Sequence, residues 1–235
     1  MAISELTMPS SRLTTERRGA IATVTLGAAN EQLARRLTDL DDDASIHVIV
    51  IDGAQTTGAV PGGAAAAVAM LVTPSIAAIV GECLDERLEL SLASDVRVAS
   101  RAARFGMRQV ADGRLPRQGG TQRLTHAVGR AHALRLLLTS DVIGADEALR
   151  IGLVQAVVPA SRLATAVAAL AERIASAAPI AAAYAKEAVA AGSDLTLAQG
   201  LALEHDLGVL LHSTDDRAEG LRAFAERRAA AYRGR

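Results

Sequence analysis

"FGMRQVADGRLPRQGGTQRL", Phe105 to Leu124, is the stretch whose reading decides the fold. It joins glycines and a Leu-Pro turn to four arginines and an Asp, where an apolar binding loop would be expected. Its neighbours on either side say what kind of chain it belongs to.

Upstream, short apolar strands alternate with helical stretches. "GAIATVTLG" (Gly19–Gly27) is a β-branched, alternating run, and "IHVIVIDG" (Ile46–Gly53) is continuously apolar, the mark of a strand buried on both faces. Between them "NEQLARRLTDLDDD" spaces Leu33, Leu37 and Leu40 for one helical face. An Ala-rich helix over Ala64–Val72 ends before Pro74. "SIAAIVG" (Ser75–Gly81) is a second buried strand, "LDERLELSLAS" is helical, and "DVRVAS" is a third strand. The alternation predicts an α/β fold with largely parallel pairing.

From Ser161 the pattern turns helical. "SRLATAVAALAERIASAA", "PIAAAYAKEAVAAG" opened by Pro179, "LTLAQGLALEHDLGVLL" and "DDRAEGLRAFAERRAAAY" all carry apolar residues at helical spacing. Asp215 or Asp216 is the expected N-cap of the last helix, with Glu219 early in it. The expected division is a core over residues 1–165 and a helical region over 166–235 that packs across a subunit interface.

Bulk composition narrows the function. The 235 residues are 50% hydrophobic, enough for a real core, but only 2% aromatic, which leaves few platforms for stacking bases. With 25 basic against 26 acidic residues there is no basic excess for nucleic acid or an anionic membrane. The single cysteine, Cys83, excludes an internal disulfide and a cysteine metal cluster. No apolar run approaches 18 residues and the N-terminus lacks a leader's apolar stretch, so a cytoplasmic location is expected. Gly62-Gly63 lacks the ending of a phosphate loop, and there is no Gly-x-Ser-x-Gly elbow. The five histidines show no metal-ligand spacing, so no metal is expected.

The chain resembles the enoyl-CoA hydratase/isomerase (crotonase) family. The tokens are Phe105-Gly106, Leu115-Pro116, Gly119-Gly120-Thr121-Gln122-Arg123-Leu124, "GADEALRIGLV" and Val157-Val158-Pro159, with "HVIVIDG", "TPSIAAIVG", "LASDVRVAS" and much of the tail. The resemblance implies a spiral of ββα units, a helical C-terminal oligomerisation region that builds a homotrimer or a hexamer as a dimer of trimers, and an acyl-CoA thioester as substrate with no cofactor. It also implies two backbone N–H groups forming an oxyanion hole, and one or two carboxylates that move protons.

Carried over residue by residue, the Ala59 N–H is the first oxyanion donor, with Val60 where the family has Asp. Counting back from Asp95, Asp85-Glu86-Arg87 stands where the family has glycines; the Glu86 N–H is the second donor and Glu89 the first catalytic carboxylate. The second carboxylate is replaced by Gln109, which keeps the shape but accepts no proton at neutral pH. Arg117-Gln118 occupies the place of small pocket residues, and only twelve residues run from Pro61 to Val72, fewer than the family's acyl-chain wall. Lys186, Arg17 and Arg18 are candidates for CoA phosphates, and Asp112 for a substitute carboxylate.

Three outcomes stay open. Glu89 works as lone acid/base in hydration or double-bond isomerisation of an enoyl-CoA, with weak activity. Alternatively the chain is an inactive subunit or scaffold. Or the cluster Glu82, Asp85, Glu86 and Glu89, in which Glu82, Asp85 or Glu86, and Glu89 are spaced for one helical face, runs a different thioester reaction. The plain structural reading sets these acids in a salt-bridged patch against Arg108, Arg114 and Arg117, with Glu89 neutralised by Arg108 or Arg117.

Overall fold

The run Val48–Asp52 forms β3, buried along almost its whole length. The structure, a computed structural model, describes residues 13–27, 32–53 and 60–235. Around β3 a six-stranded sheet is built from β1 (Thr14–Arg18), β2 (Ile21–Thr25), β3, β4 (Ser75–Ile79), β6 (Val96–Ser100) and β9 (Ala156–Val158), in that order. Among the described residues of this sheet, β1 and β2 pair antiparallel and β2-β3-β4-β6-β9 run parallel. A second sheet joins β5 (Glu82–Leu84), β7 (Arg104–Gly106) and β8 (Ile143–Gly144).

Alternation along the strands supplies two faces of the large sheet. Val48, Val50, Ile76, Ala78 and Val98 point one way, onto Leu163, Val167 and Ala171 of α6 (Leu163–Ala175). Ile49 and Ile51 point the other way, onto α1 (Leu33–Asp41), α2 (Ala64–Ala69) and Leu90 of α3 (Glu86–Leu92). Ala77, Ile79 and Ala99 continue that face beneath Leu88 and Leu92 of α3, Phe105, and Leu124 and Leu136 of α4 (Gly120–Thr139). α4 bends at Gly129, whose φ of 75° is open to glycine without cost. α5 (Ala145–Arg150) leads into β9.

The C-terminal region is α7 (Pro179–Gly192), α8 (Leu197–Leu211) and α9 (Asp215–Glu226). Thr196 opens α8 with a capping box: its hydroxyl accepts from Gln199 N–H, and Gln199 Oε1 accepts from Thr196 N–H. Thr214, not Asp215 or Asp216, caps α9, through Arg217 N–H. Asp216 is free for another task and accepts the N–H groups of Arg233 and Gly234 at 2.7 and 2.8 Å. Glu219 takes Arg228 and the Ala231 N–H, so two α9 carboxylates strap the chain's last residues back onto the helix.

Two further expectations are corrected. "LDERLELSLAS" is not helical throughout: Leu84 ends β5, and α3 starts only at Glu86. The helix expected over Ala64–Val72 stops at Ala69, well before Pro74.

Candidate active site

The turn between β5 and α3 positions the site. Asp85 sits there with φ 53° and ψ −124°, a conformation natural to glycine and costly for a residue with a Cβ. Its carboxylate holds the turn in place: Oδ1 accepts the Arg108 N–H at 2.6 Å, and Oδ2 accepts Arg108 Nη2 at 2.9 Å. The Asp85 carbonyl accepts the Glu89 N–H. An acid pinned by an arginine thus keeps a backbone shape that its residue type does not favour.

The Glu86 N–H stands at the head of α3 with no hydrogen-bond partner among the described residues. Its side chain turns outward to Arg114, 3.7 Å away, and Arg114 also pairs with Asp112 at 2.9 Å. The anionic side chain is therefore drawn away from the N–H beside it.

One turn further on, Glu89 is fully buried. Its Oε2 accepts the Gln118 N–H at 2.6 Å and the Gly120 N–H at 2.9 Å, both from the loop that opens α4. Its Oε1 accepts Gln109 Nε2 at 3.2 Å. Gln109 is itself 1% exposed, and its Oε1 has no partner among the described protein groups. The loop must pass close to the carboxylate. A Cβ on Gly120 would lie 2.9 Å from Glu89 Cγ and 2.8 Å from Pro116 Cβ.

This geometry corrects two sequence readings. Glu82 lies on β5 and Asp85 on the turn, so the helix face expected to join Glu82, Asp85 or Glu86, and Glu89 does not form. Arg108 and Arg114 do pair with acids here, but with Asp85 and Glu86; neither Arg108 nor Arg117 reaches Glu89, which is held by an amide and two backbone donors. Gln118 instead donates its backbone to Glu89 and accepts Ala65 N–H with its side chain, tying the loop to α2. These backbone donors had no side-chain signal in the sequence.

The other named residues lie elsewhere. Ala59 falls outside the described residues. Lys186 reaches from α7 to Asp95 at 2.9 Å and to the Thr73 carbonyl at 3.2 Å, so serving a CoA phosphate would mean leaving both. Arg17 is held by Asp43, Ser45 and the Gly19 carbonyl. Arg18 lines the sheet face that carries α6, opposite the face that carries α3.

Beside α3, between Gly53, Cys83 and Arg87, lies a small cleft of about 20 Å³, room for one water. Burial pushes the Cys83 thiol up to about 11, so it stays protonated and serves as an apolar wall.

The enoyl-CoA hydratase/isomerase family model matches residues 64–235. The chain belongs to that family. It is 37% identical over 232 residues to a probable enoyl-CoA hydratase of Mycobacterium bovis, covering 87% of this chain and 88% of that one. It is 46% identical over 161 residues to the (E)-benzylidenesuccinyl-CoA hydratase of Thauera aromatica, covering 68% of this chain but only 63% of that protein. Among solved structures, Pseudomonas aeruginosa DspI superposes with a TM-score of 0.88 at 29% identity, over 98% of this chain and 100% of that one. An enoyl-CoA hydratase from Bacillus anthracis gives 0.87 at 30%, over 95% and 99%. The crotonase fold expected from the sequence, C-terminal helices included, is the fold observed.

Proposed function

We propose that this crotonase acts on an enoyl-CoA thioester with Glu89 as its lone acid/base, in hydration or double-bond isomerisation. The observation that carries the reading is the state of the Glu89 carboxylate. Each carboxylate oxygen offers about two acceptor sites. Two backbone N–H groups occupy Oε2, whereas Oε1 holds only the Gln109 amide. Oε1 is therefore the atom that exchanges protons.

In hydration, Glu89 Oε1 takes a proton from water as the water oxygen bonds to the β-carbon. The thioester oxygen gains the electron pair of the double bond, stabilised by the Glu86 N–H and a second backbone donor. Glu89 then returns the proton to the α-carbon, so one water is added and the carboxylate is restored. In isomerisation, Oε1 removes a proton from the acyl chain and delivers it two carbons away. Gln109 orients Glu89 through Nε2, and its Oε1 can accept the remaining O–H of the attacking water.

The inactive-subunit reading also has an observation behind it, the complete burial of Glu89. One experiment separates the two: following the conjugated thioester absorbance of crotonyl-CoA and longer enoyl-CoAs, with acyl-CoA binding measured by calorimetry. Turnover supports the enzyme; neither turnover nor binding leaves the scaffold.

Assembly as a trimer, or a hexamer of two trimers, is part of the same proposal. α7 buries no residue and α8 only Leu207, while Val189, Leu197 and Phe224 are 73%, 80% and 87% exposed. Apolar helix faces of this kind call for a partner.

A further inference from the structure

The large sheet carries a second concave feature on the face away from Glu89. α6 packs on β3, β4 and β6 and, more thinly, on β2, where Ile21 meets its apolar face, so the cover falls away toward β1. The gap is a groove of about 380 Å³ with apolar walls that include Ile21, Val50, Ala78, Leu163 and Val167. That volume falls within the range of small-molecule sites.

Its polar groups are few and uneven in sign. Asp52, at the end of β3, points into the groove on the same face as Val50, and its carboxylate has no hydrogen-bond or ion-pair partner among the described residues. Burial alone raises its carboxyl above the ordinary value, which shows how poorly water serves it there. Glu16 and Glu172 line the same groove. Against these three acids stand two arginines. Arg17 is already committed to Asp43 and Ser45, whereas Arg18, also on the rim, has no acid partner among the described residues. The strand register sets the length. Asp52 lies level with Thr25, and Arg18 with Ile21, four residues away along β2. At about 3.3 Å per residue along β2, and about 4.8 Å for each of the two strand spacings across it, the span is roughly 16 Å.

We propose that this groove is a ligand site, separate from the acyl-CoA centre, for a linear aliphatic amine whose ammonium pairs with Asp52 and whose chain lies along α6. An ammonium there gives a desolvated carboxylate the partner it lacks among the described residues, and the alkyl chain buries the exposed apolar wall. An aliphatic carboxylate of the same length meets three acids and is rejected.

The test is calorimetry with n-octylamine and with octanoate on the full chain, alongside Asp52→Asn and Ala168→Phe, the latter filling a position that lines the groove. Wild type is expected to bind octylamine saturably at one site and to ignore octanoate. Asp52→Asn weakens binding by at least about tenfold, the loss of a charge-assisted contact. Ala168→Phe abolishes it, and both variants keep the wild-type turnover of crotonyl-CoA. No saturable binding of octylamine, or equal binding by Asp52→Asn, overturns the proposal. Failure of crotonyl-CoA turnover in the wild type bears only on the Glu89 reading.

Discussion

Gln109 donates its amide Nε2 to Glu89 Oε1 across 3.2 Å, inside the protein and away from water. A second carboxylate at this position would stand against the first, and like charges so close cannot both ionise. The amide avoids that conflict and leaves one group to move protons.

Restoring the acid tests what the amide costs. Gln109→Glu puts two carboxyls in contact, so one holds a proton at neutral pH and supplies the general acid that is missing. Hydration of crotonyl-CoA is expected to rise by about 10²-fold, the lower end of what one acid/base group contributes. Unchanged or reduced kcat in a folded variant would show that Gln109 is not what limits the reaction.

Asp85 separates strain from pairing. Asp85→Ala keeps the unfavourable φ and loses the bonds to Arg108, so urea unfolding should show a loss of about 1–3 kcal/mol. Asp85→Gly loses the same bonds but relieves the backbone, and should come within about 1 kcal/mol of wild type. Equal stabilities for the Ala and Gly variants would remove strain from the account.

At Gly120 a methyl group has no room. Gly120→Ala presses on Glu89 and Pro116, and overpacking of this kind costs about 1–3 kcal/mol. Because the same movement carries the Gly120 N–H away from Glu89 Oε2, kcat should fall with stability. Wild-type activity in a destabilised variant would dissociate the loop from the chemistry.

The C-terminal strap has an acid limit. Hydrogen bonds from Arg228 and the Ala231 N–H hold the Glu219 carboxyl down at about 2 from an ordinary 4.5. A depressed carboxyl stabilises the fold above its unfolded value and stops doing so as pH falls through the folded one. Hydrogen-exchange protection at Ala231 should therefore hold at pH 5 and decline between about 4.5 and 2. In Glu219→Gln that decline should be absent; a decline identical to wild type would assign it to another group.

The parallel strands were legible because continuous apolar runs such as Ile46–Gly53 have one economical use, burial on both faces. The short strand Glu82–Leu84 was not, since "ECLDERLEL" has a helix-forming composition and tertiary pairing with β7 overrides it. Nor does any local signal announce a positive φ at Asp85; its reason, Arg108, is 23 residues away. At the site, resemblance alone brought Glu89 and Gln109 together. The Gln118 and Gly120 donors are backbone groups and leave no mark in residue type. Asp216 reads as a helix cap because capping is local, whereas its partners, Arg233 and Gly234, come from beyond the far end of the helix.

The central claim is that one carboxylate, through Oε1, carries the whole proton transfer. Steady-state turnover of crotonyl-CoA by Glu89→Gln, compared with wild type, tests it most directly. Gln keeps the shape and the acceptor for the Gln118 and Gly120 N–H groups, so the fold and acyl-CoA binding should survive while kcat falls by about 10²–10⁴-fold. A Glu89→Gln enzyme that turns over crotonyl-CoA at the wild-type rate would contradict the account.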